Sequence, residues 1–198
     1  DISGTMLAED LKPNRLEAAK DVAIKFVADR PDDNVGLVIF AGESFTQCPL
    51  TTDHAVLTNL INSVKFGEMG IEDGTAIGLG LARAVDRIKD SKAKSKVVIL
   101  LTDGSNNSGD IAPITAAEIA KKMGVRVYTI AVGKHGMAPY PFQTPFGIQY
   151  QNVPVEIDEE VLQQIAQMTG GSFFRATDNA SLGAIYAEID QMEKTKLQ

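Results

Sequence analysis

Three near-continuous apolar runs, Val35 to Ala41 (VGLVIFA), Val97 to Thr102 (VVILLT) and Val125 to Val132 (VRVYTIAV), constrain the fold of this chain more than any other feature. A strand with one wet face alternates apolar and polar residues, whereas a run that is apolar at nearly every position needs cover on both faces. Stretches with helical spacing surround these runs. Leu16, Ala19, Val22, Ala23, Phe26 and Val27 follow Pro13, which suits a first helical turn, and Thr52-Asp53 caps a helix to about Val64. Further helices are predicted over Thr75 to Ile88, Ile114 to Met123 before Gly124, Asp158 to about Met168, and Ala180 to about Met192. Buried strands alternating with helices predict an α/β fold: a doubly wound, mostly parallel sheet flanked by helices. Phe45 to Leu50, with Pro49 near its end, is predicted as one short antiparallel edge strand, and Ser172 to Arg175 as a further short strand.

At 198 residues with 44% hydrophobic content, the chain is expected to form a single domain, residues 1–198, with an ample core. A formal net charge of −7 argues against a nucleic-acid partner, which needs a basic face. The one basic cluster (Lys89, Lys92, Lys94, Lys96) lies at a helix end, where cations complement the dipole. Cys48 has no second cysteine to pair with and reads as a small strand residue. The longest purely apolar run, Val97 to Leu101, is too short to span a bilayer. Small residues in the third helix (Ala76, Gly78, Gly80, Ala82, Ala84) predict a close approach to the sheet; Gly78-x-Gly80 follows no strand and is no dinucleotide motif. Residues 133–157 read as a loop, with four prolines and Tyr140, Phe142, Phe146 and Tyr150. Those aromatics suit either a partner-binding surface or packing over the sheet edge.

In a doubly wound sheet, ligands bind beyond the carboxyl ends of the strands. Two oxygen-rich clusters belong there: Asp1-Ile2-Ser3-Gly4-Thr5-Met6, and Thr102-Asp103-Gly104-Ser105 after the second apolar run. Asp1, Ser3 and Thr5 alternate, so an extended loop points them to one side. They offer one carboxylate and two hydroxyls, with no nitrogen or sulfur, which suits a hard cation. Gly74-Thr75 starts a helical stretch and brings a third hydroxyl. Ser105 fits either a hydrogen bond that orients the cluster or an ordinary turn. His54 and His135 read as surface residues, and Glu68, Glu72 and Asp73 as a solvated loop that can tune the site or repel wrong acidic ligands.

The order Asp-x-Ser-x-Thr, Gly-Thr, then apolar strand-Thr-Asp-Gly resembles the metal-ion-dependent adhesion site of von Willebrand factor A (vWA) domains, which are Rossmann-like. The wider run Asp1 to Lys20 (DISGTMLAEDLKPNRLEAAK) is similar to the bacterial Bat aerotolerance family, nearest the BatA type. The resemblance covers almost the whole chain and implies a metal site of Asp1, Ser3, Thr5, Thr75 and Asp103. In family terms Ser3 and Thr5 bind the cation directly, Asp1 and Asp103 hold it mainly through water, and Thr75 joins or leaves with the state of the site. The implied cation is Mg²⁺, with Mn²⁺ or Ca²⁺ as alternatives.

The implied function is non-enzymatic: a protein-interaction domain whose partner supplies an acidic group to the metal, in stress or oxygen tolerance, with other Bat-type proteins as candidate partners. It also implies a bacterial inner-membrane anchor through segments outside this chain, with the domain in the periplasm. The competing reading is a Mg²⁺-dependent haloacid-dehalogenase-like phosphatase with Asp1 as nucleophile. It lacks the second aspartate, since Ser3 stands there and cannot act as a general acid near neutral pH. The family also places an apolar strand before the first site aspartate, so a strand of about five to seven residues is expected ahead of Asp1.

Overall fold

The computed structural model describes residues 1–67 and 70–196; Glu68, of the acidic loop named above, lies outside them. In chain order the strands are β1 (Val35–Phe40), β2 (Ser44–Thr51), β3 (Lys96–Thr102), β4 (Val125–Val132), β5 (Met137–Thr144), β6 (Gly147–Pro154) and β7 (Phe173–Ala176). The helices are α1 (Arg15–Ala28), α2 (His54–Asn62), α3 (Ile77–Ile88), α4 (Pro113–Lys122), α5 (Glu159–Thr169) and α6 (Asn179–Lys196), with a 3-10 turn at Gly4–Leu7. Pro13 does not open α1 as expected: Asn14 is the cap, its side chain accepting from the Glu17 amide at 2.8 Å.

β3, β4 and β7 form a parallel sheet in the order β3-β4-β7, with Lys96 to Thr102 paired in step with Val125 to Ala131. Alternate residues of β4 enter two separate cores, as a doubly covered strand requires. Val125, Val127 and Ala131 pack with Ile77, Leu81 and Val85 of α3, the alanines of α4, and Leu162 and Ile165 of α5. Tyr128, Ile130 and Val132 pack with Ala18 of α1 and with Leu182, Ile185 and Ile189 of α6. The fold is thus α/β, with helices on both faces of a parallel sheet.

β1 and β2 form an antiparallel pair of their own, with Cys48 buried against Val27, Leu57 and Ile61. β1 is not hydrogen-bonded to β3. Between the two lies a cavity of about 650 Å³, walled by Leu37 and Ile39 on one side and Val97, Ile99 and Leu101 on the other. Asp1 and Ile2 bridge its top: the Asp1 nitrogen donates to the Leu101 carbonyl (3.2 Å) and the Ile2 amide to that of Phe40 (2.7 Å).

Residues 133–157 are not the predicted loop. β5 and β6 pair along their whole length as an antiparallel hairpin, Met137↔Pro154 to Thr144↔Gly147. Proline counted against a strand because it donates no ladder bond, but a two-stranded ribbon has outward-facing positions where none is needed. Pro139 sits at one, with its carbonyl turned away from β6 to accept from the Glu9 amide (2.9 Å).

Candidate metal centre

The first loop leaves β1's neighbourhood at Ile2 and turns immediately into the 3-10 turn, which folds Ser3 and Thr5 back toward the end of β3. Ser3 Oγ and Thr5 Oγ1 lie 3.1 Å apart, and Thr5 Oγ1 donates to Asp103 Oδ1 at 2.9 Å. Asp1 closes the group from the other side. Its Oδ1 accepts from the Ser3 amide (2.8 Å), and its Oδ2 from Thr102 Oγ1 (2.7 Å) and the Asp103 amide (3.3 Å). Four of the five residues named from the sequence therefore form one connected set of oxygens beyond the carboxyl end of β3. Ser3 and Asp103 are buried, while Thr5 is open to solvent.

Thr75 reaches the same place through its backbone. The Thr75 amide donates to Asn107 Oδ1 (2.8 Å), and the Asn107 amide returns a bond to the Thr75 carbonyl (2.9 Å). Its hydroxyl is thereby set over Gly104, 3.6 Å from where a Cβ there would stand, one residue past Asp103. Asn106 adds a bond from the Gly78 amide (3.3 Å). These two asparagines fasten the Thr75 loop and the start of α3 to the Asp103 loop.

Beneath the site lies an ion network that the residue pattern did not reveal. Arg15, with its side chain 3% exposed, donates Nη1 to Asp103 Oδ2 (2.8 Å) and forks onto Asp10 through Nε (2.7 Å) and Nη2 (2.6 Å). Asp10 Oδ2 also accepts the Lys134 amide at 2.9 Å, and Gly133 leaves room for the guanidinium, since a Cβ there would sit 2.9 Å from Nη2. Burial pushes the Asp103 carboxyl up, opposed by the charge and hydrogen bond of Arg15 and by the Thr5 hydroxyl. Asp10 is held below the usual carboxylate range despite its burial, because Arg15 and the Lys134 amide both donate to it. An Asp five residues before an Arg was the available signal, but nothing in that spacing says both point inward.

At the mouth, Asp73 accepts from the amides of Gly4 and Gly74, both at 2.9 Å, so it is not simply solvated loop. Tyr140 of β5 stands beside it; burial, then the charges of Asp73 and Asp103, push its phenol up. Of the two histidines, His54 at the start of α2 is bonded to the Asp33 carbonyl, and His135 is exposed.

Such an all-oxygen donor set, two hydroxyls and two carboxylates with a third hydroxyl at hand, fits a hard divalent cation. The profile of the von Willebrand factor type A domain matches residues 1–188. The chain belongs to the vWA family. Its relatives include a protein of unassigned function from Borreliella burgdorferi, 32% identical, the match covering 98% of this chain and 57% of that protein. The vWA chain thus spans little more than half of that relative's length. Among solved structures it is similar to BatB from Bacteroides thetaiotaomicron (TM-score 0.84, 31% identity, 98% of this chain and 96% of that one). It is also similar to an aerotolerance-related membrane protein from Bacteroides fragilis (TM-score 0.81, 29% identity, 96% and 94%). This vWA domain is therefore related to the Bat aerotolerance proteins. Among its described residues no helix is long and apolar enough to cross a membrane.

Proposed function

We propose that this vWA domain binds a protein partner through a divalent cation, Mg²⁺ or else Mn²⁺ or Ca²⁺, held by Ser3 and Thr5 directly and by Asp1 and Asp103 mainly through water. Thr75 joins in the partner-bound state. The observation that carries this reading is the unbroken chain of contacts from Ser3 Oγ to Thr5 Oγ1 to Asp103 Oδ1, with Asp1 fixed behind it. Few direct carboxylates leave the ion electron-poor, so a bound cation would supply an open position for an acidic group from the partner. Binding rather than catalysis is favoured because a serine stands where a phosphatase needs its acid. The reading includes a bacterial inner-membrane anchor outside this chain, a periplasmic domain and other Bat-type proteins as partners; of these, kinship with an aerotolerance-related membrane protein supports the membrane anchor.

Thermal melting with Mg²⁺, Mn²⁺ or Ca²⁺ tests the cation. A ligand that binds only the folded state stabilises it by about 2.7 kcal/mol at a hundred times its Kd. Ser3→Ala should abolish the shift while melting like the parent without metal; Thr5→Val should abolish it too, from a lower metal-free melting point, because the buried Asp103 carboxylate loses a donor. Asp103→Ala is a poorer probe, since it strips Arg15 of a buried partner. A shift that survives both hydroxyl substitutions places the cation elsewhere, and partner capture unchanged by EDTA removes the metal from the binding reaction.

A further inference from the structure

The mouth of the site holds an acidic group of the chain's own. Asp73 Oδ1 lies 2.9 Å from the amide nitrogens of both Gly4 and Gly74, one on each of two site loops. The Gly4 bond joins residues 69 positions apart, so it is no local turn contact. Position 4 also explains why the carboxylate fits. A Cβ there would stand 2.9 Å from Asp73 Oδ2 and 3.2 Å from the Tyr140 hydroxyl. Only a residue without a side chain leaves this hollow, and the hollow adjoins Ser3 and Thr5. Two converging amides form a seat for a carboxylate. Asp73 itself is exposed, so it can swing into solvent without uncovering any core.

We infer that the Gly4 and Gly74 amides are a carboxylate-binding subsite and that Asp73 is its resting occupant, a latch that an incoming carboxylate must displace. The inference rests on the reading that the partner brings an acidic group to this site. It adds a regulatory consequence: partner affinity is lowered by the fraction of time Asp73 holds the seat. Tyr140 places the root of the hairpin over the same seat, so a partner meets β5 as it enters.

Acetate is the probe, followed by the amide resonances of Gly4 and Gly74 in the protein, with and without Mg²⁺. If Asp73 fills the seat about nine-tenths of the time, Asp73→Ala binds acetate about tenfold more tightly than the parent at those two amides. The isosteric Asp73→Asn, neutral but still an acceptor, gives an intermediate gain. Glu72→Ala removes the same charge one residue away, in a screened and exposed position, and changes the affinity by less than about twofold. Equal affinity in the parent and Asp73→Ala, or an equal gain in Glu72→Ala, overturns the latch. Mg²⁺ binding is read separately at Ser3 and Thr5. A gain in Asp73→Ala without Mg²⁺ binding upholds the seat and removes the cation. Normal Mg²⁺ binding with no gain removes the latch alone.

Discussion

Arg15 shows how much of this site depends on a residue that never reaches its surface. It neutralises two carboxylates whose side chains are fully buried, so Arg15→Met leaves both uncompensated. Breaking a buried pair from one side costs about 3–5 kcal/mol, and urea denaturation should show a loss of that size. A second expectation concerns Gly78. A Cβ there would lie 2.0 Å from the Ile111 carbonyl oxygen, and backbone cannot yield as a side-chain tip can. Gly78→Ala should therefore destabilise by about 2–3 kcal/mol, against a helix-propensity gain of about 1 kcal/mol. A more stable variant would show that α3 has slack at this point. The hydroxyls and carboxylates of the site were legible in the sequence because their order along the chain is distinctive. Arg15, Asp10 and Asn107 were not, because a buried ion pair and a loop-to-loop bond leave no periodic trace. The small residues of α3 were read as contacts with the sheet; Gly80 does meet Phe40 of β1, but Gly78 meets the segment leading into α4.

Among the elements, α6 is fastened to β4 by one buried acid. Glu193, 4% exposed, accepts Arg126 through Nε (2.9 Å) and Nη2 (2.6 Å) and the Tyr128 hydroxyl at 2.6 Å. Burial alone would raise its pKa, but these donors outweigh burial and hold it below the ordinary 4.5. A depressed carboxylate contributes stability that is fully present above its unfolded pKa and is lost as pH falls through the folded one. The stability gap between the parent and Glu193→Gln should therefore be constant above about pH 4.5 and shrink below it, as followed by urea titration at several pH values. A gap that widens in acid contradicts the assigned shift. The three long strands and six helices were readable from period and composition, most to within two or three residues at each end. The β5–β6 hairpin was not, because its prolines and exposed aromatics lack strand alternation with a buried face: Phe146 is 91% exposed and Tyr150 58%. A ribbon held by its own ladder and docked at its root has no core pattern to display.

At the scale of the whole molecule, β1 and β3 face each other without a shared ladder. β3 is as apolar as β4, yet it is only half-buried over most of its length where β4 is buried almost throughout. The doubly wound plan was legible because both-face burial follows from the runs themselves, whereas the spacing between strands is a matter of backbone pairing that no residue type records. The Arg15 cluster has its own consequence at this scale. Asp10 is bonded at once to the arginine that grips Asp103 and to the amide of Lys134, three residues before the hairpin begins. A tug on the hairpin arm that shifts residue 134 must either break that bond or drag the whole cluster. The hairpin arm and the oxygen-lined pocket are thereby joined through a single guanidinium.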